Sequence, residues 1–237
     1  MKIVILMAIW QRPEVLRLVL DSFKVQKIDF DLKFVFVVSP EDPFIDEIMD
    51  ILNEFVPQDD ILHFVESKNL GLGKKHNEGV KYAFENLEFD YLMNTGSDDV
   101  INLKELLKGY SDYINSGAKL IGYTGCYISE FGKDEVFSVI SSNPRRTVGA
   151  GRLIHYSVIE KIMRMNKFLY HPHLNRGLDG NSADNILRYA RVRPKVINDI
   201  APIIDVKSEV NINSYEKFGN ISEKQEFTFK QFIKKLK

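Results

Sequence analysis

The sequence predicts an α/β protein with a mostly parallel central sheet flanked by helices. Four apolar runs, Ile3–Ile9, Leu32–Val38, Ile61–Val65 and Phe89–Met93, recur at a spacing of roughly 28–30 residues, the length of a βαβ unit. Each run is continuous rather than alternating, as in strands buried on both faces of a parallel sheet. The segments between them carry apolar residues at helical spacing.

Taken in order, the first strand leads to Pro13, suited to a first helical turn, with Val15, Leu16, Val19 and Phe23 on one stripe. A second helix opens at Asp42-Pro43 and carries Ile45, Ile48, Leu52 and Phe55. The third runs from Lys74 to Asn86 with Val80, Ala83 and Phe84. Asn102 with Glu105 makes a capping-box-like start for a fourth. Residues 118–128, 136–140 and 151–155 read as strands; Ser157–Phe168 and Ala183–Tyr189 read as helices. Val196–Asn211 is strand-like, with Asp205 and Lys207 on its solvent face. Past Ser222, Phe229, Phe232, Ile233 and Leu236 form a stripe, with Lys230, Lys234, Lys235 and Lys237 on the remainder. Such a basic amphipathic end docks on its own domain or a second subunit, or makes weak contact with an anionic membrane surface or nucleic acid. One domain is expected over residues 1–215, with halves 1–100 and 101–215, and residues 216–237 as a tail.

Composition narrows the function. The 237 residues hold 32 Lys+Arg and 33 Asp+Glu, a net charge of -1 that argues against a generally cationic nucleic-acid binder and leaves a local basic patch open. A hydrophobic content of 44% with 27% charged residues excludes wholesale disorder. The single cysteine, Cys126, excludes a disulfide framework or a Cys-based zinc cluster and fits a reducing compartment. The apolar run after Lys2 stops at Gln11-Arg12-Pro13, short for a signal peptide. No run reaches the ~18 apolar residues of a membrane span, so a cytoplasmic protein is expected.

In open α/β sheets ligands bind beyond the carboxyl ends of the strands. Here those ends turn polar: Trp10-Gln11-Arg12, Ser39-Pro40-Glu41-Asp42, Glu66-Ser67-Lys68-Asn69 and Asn94-Thr95-Gly96-Ser97-Asp98-Asp99. Phosphate-loop motifs fail. Gly71-Leu72-Gly73-Lys74-Lys75 lacks the upstream Gly and the Ser/Thr of a Walker A loop, and no Gly-rich turn follows the first strand.

A different pattern spans roughly residues 1–190. Asn69-Leu70-Gly71-Leu72-Gly73-Lys74-Lys75-His76-Asn77-Glu78-Gly79, then Tyr91–Asp99, Gly149-Ala150-Gly151-Arg152 and Gly177-Leu178-Asp179 resemble in order and spacing the family 2-like glycosyltransferases of the GT-A (nucleotide-diphospho-sugar transferase) fold. The departures are Gly96 where that family has the first acid of D-x-D-D, Leu178 where it has the Glu before its catalytic Asp, and His76 before Asn77. The resemblance implies an inverting transfer from a nucleotide-diphospho-sugar, a UDP-sugar above all, with Mg or Mn as divalent cation.

It further implies that Asp98 binds the metal and diphosphate and that Asp179 takes the acceptor's proton. Because neighbouring side chains on extended backbone point opposite ways, one of Asp98 and Asp99 should coordinate, the other orienting Ser97 or the following loop. Asp179 or Ser182 could instead cap the following helix, with Asp184 as reserve acid. Trp10, Arg12, Glu41 or Asp42, Asn69, Lys74, Asn77 and Ser97 are candidates for nucleotide contact, with Lys207 an alternative at the diphosphate. His155, His171 and His173 are weak metal candidates. The acceptor is open: a glycan, a lipid-linked sugar, a protein or a modified nucleic-acid base. Two rivals stand beside this reading: a sugar-phosphate nucleotidylyltransferase, which lacks its Gly-rich turn here, and a degenerate binding protein on the same fold.

Overall fold

The structure is a computed structural model that describes residues 1–28, 31–55, 62–69, 71–141, 143, 146–208 and 223–237. The first half alternates strand and helix: β1 (Lys2–Ala8), α1 (Pro13–Lys24), β2 (Asp31–Val38), α2 (Ile45–Phe55), β3 (Leu62–Glu66), α3 (Leu72–Asn86) and β4 (Tyr91–Gly96). β3, β2, β1 and β4 lie side by side in parallel. The continuous apolar run of β1 has a plain cause. Ile3, Ile5 and Met7 face one core with α1 and α2, whereas Val4 and Leu6 face a second core with Val80 and Ala83 of α3.

The second half adds β5 (Asp99–Ile101), α4 (Leu103–Asn115), β6 (Leu120–Glu130), β7 (Phe137–Ile140), β8 (Leu153–His155), α5 (Tyr156–Arg164), α6 (Leu178–Asn185), a π turn (Ile186–Ala190), β9 (Lys195–Lys207), β10 (Glu223–Lys224) and α7 (Phe229–Lys234). β8 continues the sheet antiparallel to β4, and β6 and β7 follow antiparallel beyond it. β9 runs parallel to β6 and also pairs antiparallel with β5, setting Asp205 opposite Asp99. A mostly parallel centre is thus extended by antiparallel strands.

Several boundaries differ from expectation for local reasons. β4 runs on through Asn94-Thr95-Gly96, because its polar end still pairs with β1. The helix after His155 stops at Arg164: Asn166 takes φ 54°, while the Lys167 and Asn166 amides bond the carbonyls of Ile162 and Met163. That pattern is a Schellman closure. The helix expected from Ala183 begins at Leu178. Asn102 caps α4 by accepting from the Glu105 amide at 3.2 Å. At the chain end Thr228 and Gln231 cap α7 reciprocally, and Phe232 and Leu236 are buried in the first core. The stripe of the tail helix therefore packs on its own chain. Among the described residues no helix is long and apolar enough to cross a membrane.

Candidate active site

A cleft of about 460 Å³ opens at the carboxyl edge of β1 and β4 and is closed on the far side by β6, the 148–150 strand approach, the 175–179 segment and β9. Trp10, Arg12, Ser97, Asp98 and Asp179 line it. So do Asp99, Asp205, Lys207, His76, Asn94 and Arg176.

The acidic wall starts at Gly96. A turn at Ser97-Asp98 folds the chain from β4 into β5, so the backbone is not extended between the two acids. This corrects the expectation that Asp98 and Asp99 diverge: Asp98, Asp99 and Asp205 offer carboxylate oxygens all within 4.8 Å of one another. Gly96 leaves room for the two carboxylates, since a Cβ there would stand 2.3 Å from Asp98 Oδ1 and 3.0 Å from Asp99 Oδ2. Asp99 pins the turn rather than Ser97, accepting from the Gly96 amide at 2.5 Å and the Thr95 hydroxyl at 3.3 Å.

Two cations serve this wall. Arg12 donates to Asp98 Oδ2 at 2.8 Å and approaches Ser97 Oγ at 3.4 Å. It reaches there from a strained turn, with Gln11 at φ 58° and Arg12 at φ 57°. Such non-glycine conformations cost about 1–3 kcal/mol each and persist only when surroundings impose them. The imposing group is buried Asp42, which accepts from the Gln11 amide at 2.6 Å and the Phe44 amide at 3.0 Å. Lys207 donates to Asp205. Burial, reinforced by Asp205 and Asp98, pushes the Asp99 carboxyl well above the usual range. Burial likewise carries Asp205 up to about 6 against the opposing pull of Lys207. The Lys207 ammonium is held up by Asp205 and Asp98 against its own burial.

The opposite wall carries Asp179, second residue of α6. Gly177, at φ 67°, takes the N-cap position, and no side chain caps the helix. Asp179 Oδ2 instead accepts the Gly149 amide at 2.9 Å. A Cβ at Gly149 would lie 1.9 Å from Asp179 Oδ1, so only glycine admits this approach. Arg152, 2% exposed, braces the wall from inside. Its guanidinium donates to Thr147 Oγ1, Thr147 O, the Asp179 carbonyl and Ser182 Oγ at 2.7–3.0 Å.

At the floor, where His76 and Asn94 line the cleft, and behind it at Lys75, lie groups that the sequence left without a role. Lys75, 1% exposed, donates to the Ile9 carbonyl at 3.1 Å and lies 4.7 Å from the centroid of the Trp10 ring. Burial lowers its ammonium to about 8, partly offset by Asp42 and Glu41. His76 tilts against Tyr170 with centroids 4.9 Å apart, and burial together with Lys75 lowers it to about 4. The buried Nδ1 of His76, Oδ1 of Asn94 and Oδ1 of Asp205 have no hydrogen-bond partner among the described residues.

Other sequence-predicted residues lie elsewhere. Lys74 is outside the cleft, 3.6 Å from Glu78. Asn77 ties α3 to the 170 segment, donating to the Tyr170 carbonyl at 2.6 Å and accepting from its amide at 3.0 Å. Glu41 and Asn69 are exposed and do not line the cleft. Asp184 faces Arg146. His155 caps α5, and His171 and His173 pair with each other on the surface. Cys126 lines the cleft, but desolvation pushes its thiol up, which keeps it protonated. Leu70, Ser142, Pro144, Arg145 and 209–211 lie outside the described residues. Asp205 was the hardest to see. Its alternation with Lys207 reads as a solvent face, and only the pairing of β9 with β5 turns it inward.

This topology, with an acid-lined cleft at its switch in strand direction, is the GT-A-like fold of nucleotide-sugar transferases. Solved structures agree. S. aureus TarS (residues 1–349, with UDP-GlcNAc) superposes with a TM-score of 0.62 at 17% identity over 89% of this chain and 60% of that one. The mannosyltransferase PcManGT from Pyrobaculum calidifontis, solved with GDP-Man and Mn2+, gives 0.57 at 13% identity over 92% of this chain and 59% of that one. The chain thus spans about 60% of the length of these neighbours. No protein-family model matches the sequence, and no curated protein does.

Proposed function

We propose that the chain is a glycosyltransferase moving a sugar from a nucleotide-diphospho-sugar, a UDP-sugar in the first instance, to an acceptor hydroxyl with inversion. The observation that carries this is the placement of Asp98 and Asp179 on facing walls of one cleft at the carboxyl edge of the parallel strands. Both neighbours described above were solved with nucleotide-sugars, which supports the same donor class.

Asp98, Asp99 and Asp205 fit a hard divalent cation such as Mg or Mn. They are oxygen donors gathered within 4.8 Å, and Asp205 Oδ1 is buried without a partner among the described residues. When bound there, the cation would supply Lewis acidity toward the diphosphate. Trp10, stiffened by Lys75 against its ring, offers the nucleobase or ribose a flat surface. Asp179 accepts the proton of the acceptor hydroxyl as that oxygen bonds to the anomeric carbon and the bond to the diphosphate oxygen breaks. Its one backbone hydrogen bond leaves the other carboxylate oxygen for this task.

Arg12 and Lys207 favour a second reading, in which these two cations meet the diphosphate directly and no metal is needed. One experiment separates the readings. Nucleotide release is measured from UDP-, GDP- and dTDP-sugars with Mn, with Mg and with EDTA. Metal-dependent release from at least one donor is expected. Full turnover in EDTA selects the Arg12–Lys207 reading, and absence of both binding and release with every donor leaves a non-catalytic protein on this fold.

A further inference from the structure

The arginines of this chain are unevenly placed. Eight of ten fall within residues 145–193, against two of 22 lysines. Residues 145–195 carry eleven Lys+Arg and three Asp+Glu in a chain whose net charge is -1. Arg152 is buried as a brace, and Arg164 is paired with Glu160 at 2.8 Å. Five others, Arg146, Arg176, Arg188, Arg191 and Arg193, are exposed.

Along the chain they gather at the start of α6, beside it and after it. Arg176 lines the cleft mouth, immediately before α6. Arg146 lies over α6, with Nη1 2.9 Å from where a Cβ on Gly180 would stand and Nη2 3.9 Å from Asp184. Arg188 is in the π turn that continues α6, and Arg191 and Arg193 follow it. Lys161 fixes the end of that turn by donating to the Ala190 carbonyl at 3.3 Å.

We propose that this arginine line is a nucleic-acid backbone site, and that the acceptor hydroxyl belongs to a nucleic acid. The inference rests on the transferase reading for its acceptor half only. Guanidinium groups match phosphate oxygens as a planar two-toothed fork, which lysines do not. Leu178–Ala190 is 13 residues of helix and π turn, about 20 Å at ~1.5 Å per residue. That length covers about six base-pair rises of ~3.4 Å. A backbone laid along it would bring one nucleotide to Arg176 and the Asp179 wall. There a base or sugar hydroxyl oxygen attacks the anomeric carbon, the nucleoside diphosphate leaves, and the proton passes to Asp179. Exposed Met165, Phe168 and Leu187 belong to the two segments that the Asn185 bond to the Leu169 carbonyl joins at 3.2 Å. They make an anionic bilayer the rival occupant.

The test is fluorescence anisotropy with a fluorescein-labelled DNA duplex of about 20 base pairs, alongside UDP binding by calorimetry. Micromolar affinity is expected at about 50 mM salt, weakening about 100-fold by about 200 mM if four phosphates are neutralised. In R188E/R191E/R193E, none of which lines the cleft, duplex affinity should fall at least tenfold and the salt slope by about 3. UDP affinity should not change. Equal duplex binding by the triple variant overturns the site, as does equal binding of polyglutamate by the parent. Tighter binding to phosphatidylglycerol vesicles than to duplex, lost in M165S/F168S, overturns it in favour of a membrane surface. Duplex binding without any nucleotide-sugar binding sinks the transferase reading and the acceptor role while the backbone site stands.

Discussion

Asp98, Asp99 and Asp205 meet in a buried wall where acids crowd one another and two cations hold them. Asp179 stands alone on the facing wall, exposed to the cleft and held by a single amide. In the proposed mechanism one residue type thereby serves two tasks. Crowding and burial make the first wall gain from added positive charge. Among the described residues the second wall has neither crowding nor a cation on its carboxylate, which suits the proposed role of Asp179 toward the acceptor hydroxyl.

The comparison breaks most visibly at Asp98. Asp98→Asn should lower metal-dependent nucleotide release about 1,000-fold, as loss of an electrostatic group at a developing charge does, and should uncouple Mn from UDP binding in calorimetry. Full metal-dependent activity in this variant would remove Asp98 from the mechanism.

His76 tests the floor between the walls. Its folded value near 4 lies below the ordinary 6.5, so the unfolded chain binds more protons between these pH values. The stability it contributes is complete above pH 6.5 and is lost as pH falls toward 4, by about 3 kcal/mol in all. His76→Phe should flatten urea-derived stability across that window relative to the parent. An unchanged pH profile would show that the ring is solvated.

For the second wall, Asp179→Asn should lower turnover about 100-fold while Mn-coupled UDP binding stays at the parent value. A matching loss of UDP binding would place Asp179 in the donor site instead. The smallest effect is expected at Gly96→Ala. Its Cβ would push Asp98 out of the cluster and weaken Mn binding about tenfold, about 1.4 kcal/mol. Undiminished Mn affinity would show that the turn relaxes freely.

Much of the fold was legible locally. Residues buried on both faces must be apolar throughout, so β1, β2 and β4 announce themselves as continuous runs, and Asn102 announces α4 through its cap. The polar strand ends likewise pointed to the cleft edge, where Trp10, Arg12, Ser97 and Asp98 lie. Lys74 and Lys75 show the limit. Both read as basic residues at a helix start, and only the rotation of α3 against β1 buries one and leaves the other outside.

The sequence by itself therefore determined the alternation of strand and helix, the parallel core and the segment bearing Asp98, because these depend on residues close along the chain. Tertiary structure alone decided which acids share a wall. Asp99 and Asp205 stand 106 positions apart and meet only through β5–β9 pairing, and Asp179 reaches the cleft only because Gly149 lets it approach and Arg152 holds its segment. Hydrophobic periodicity records which side of an element is buried. It carries no record of which distant element buries it.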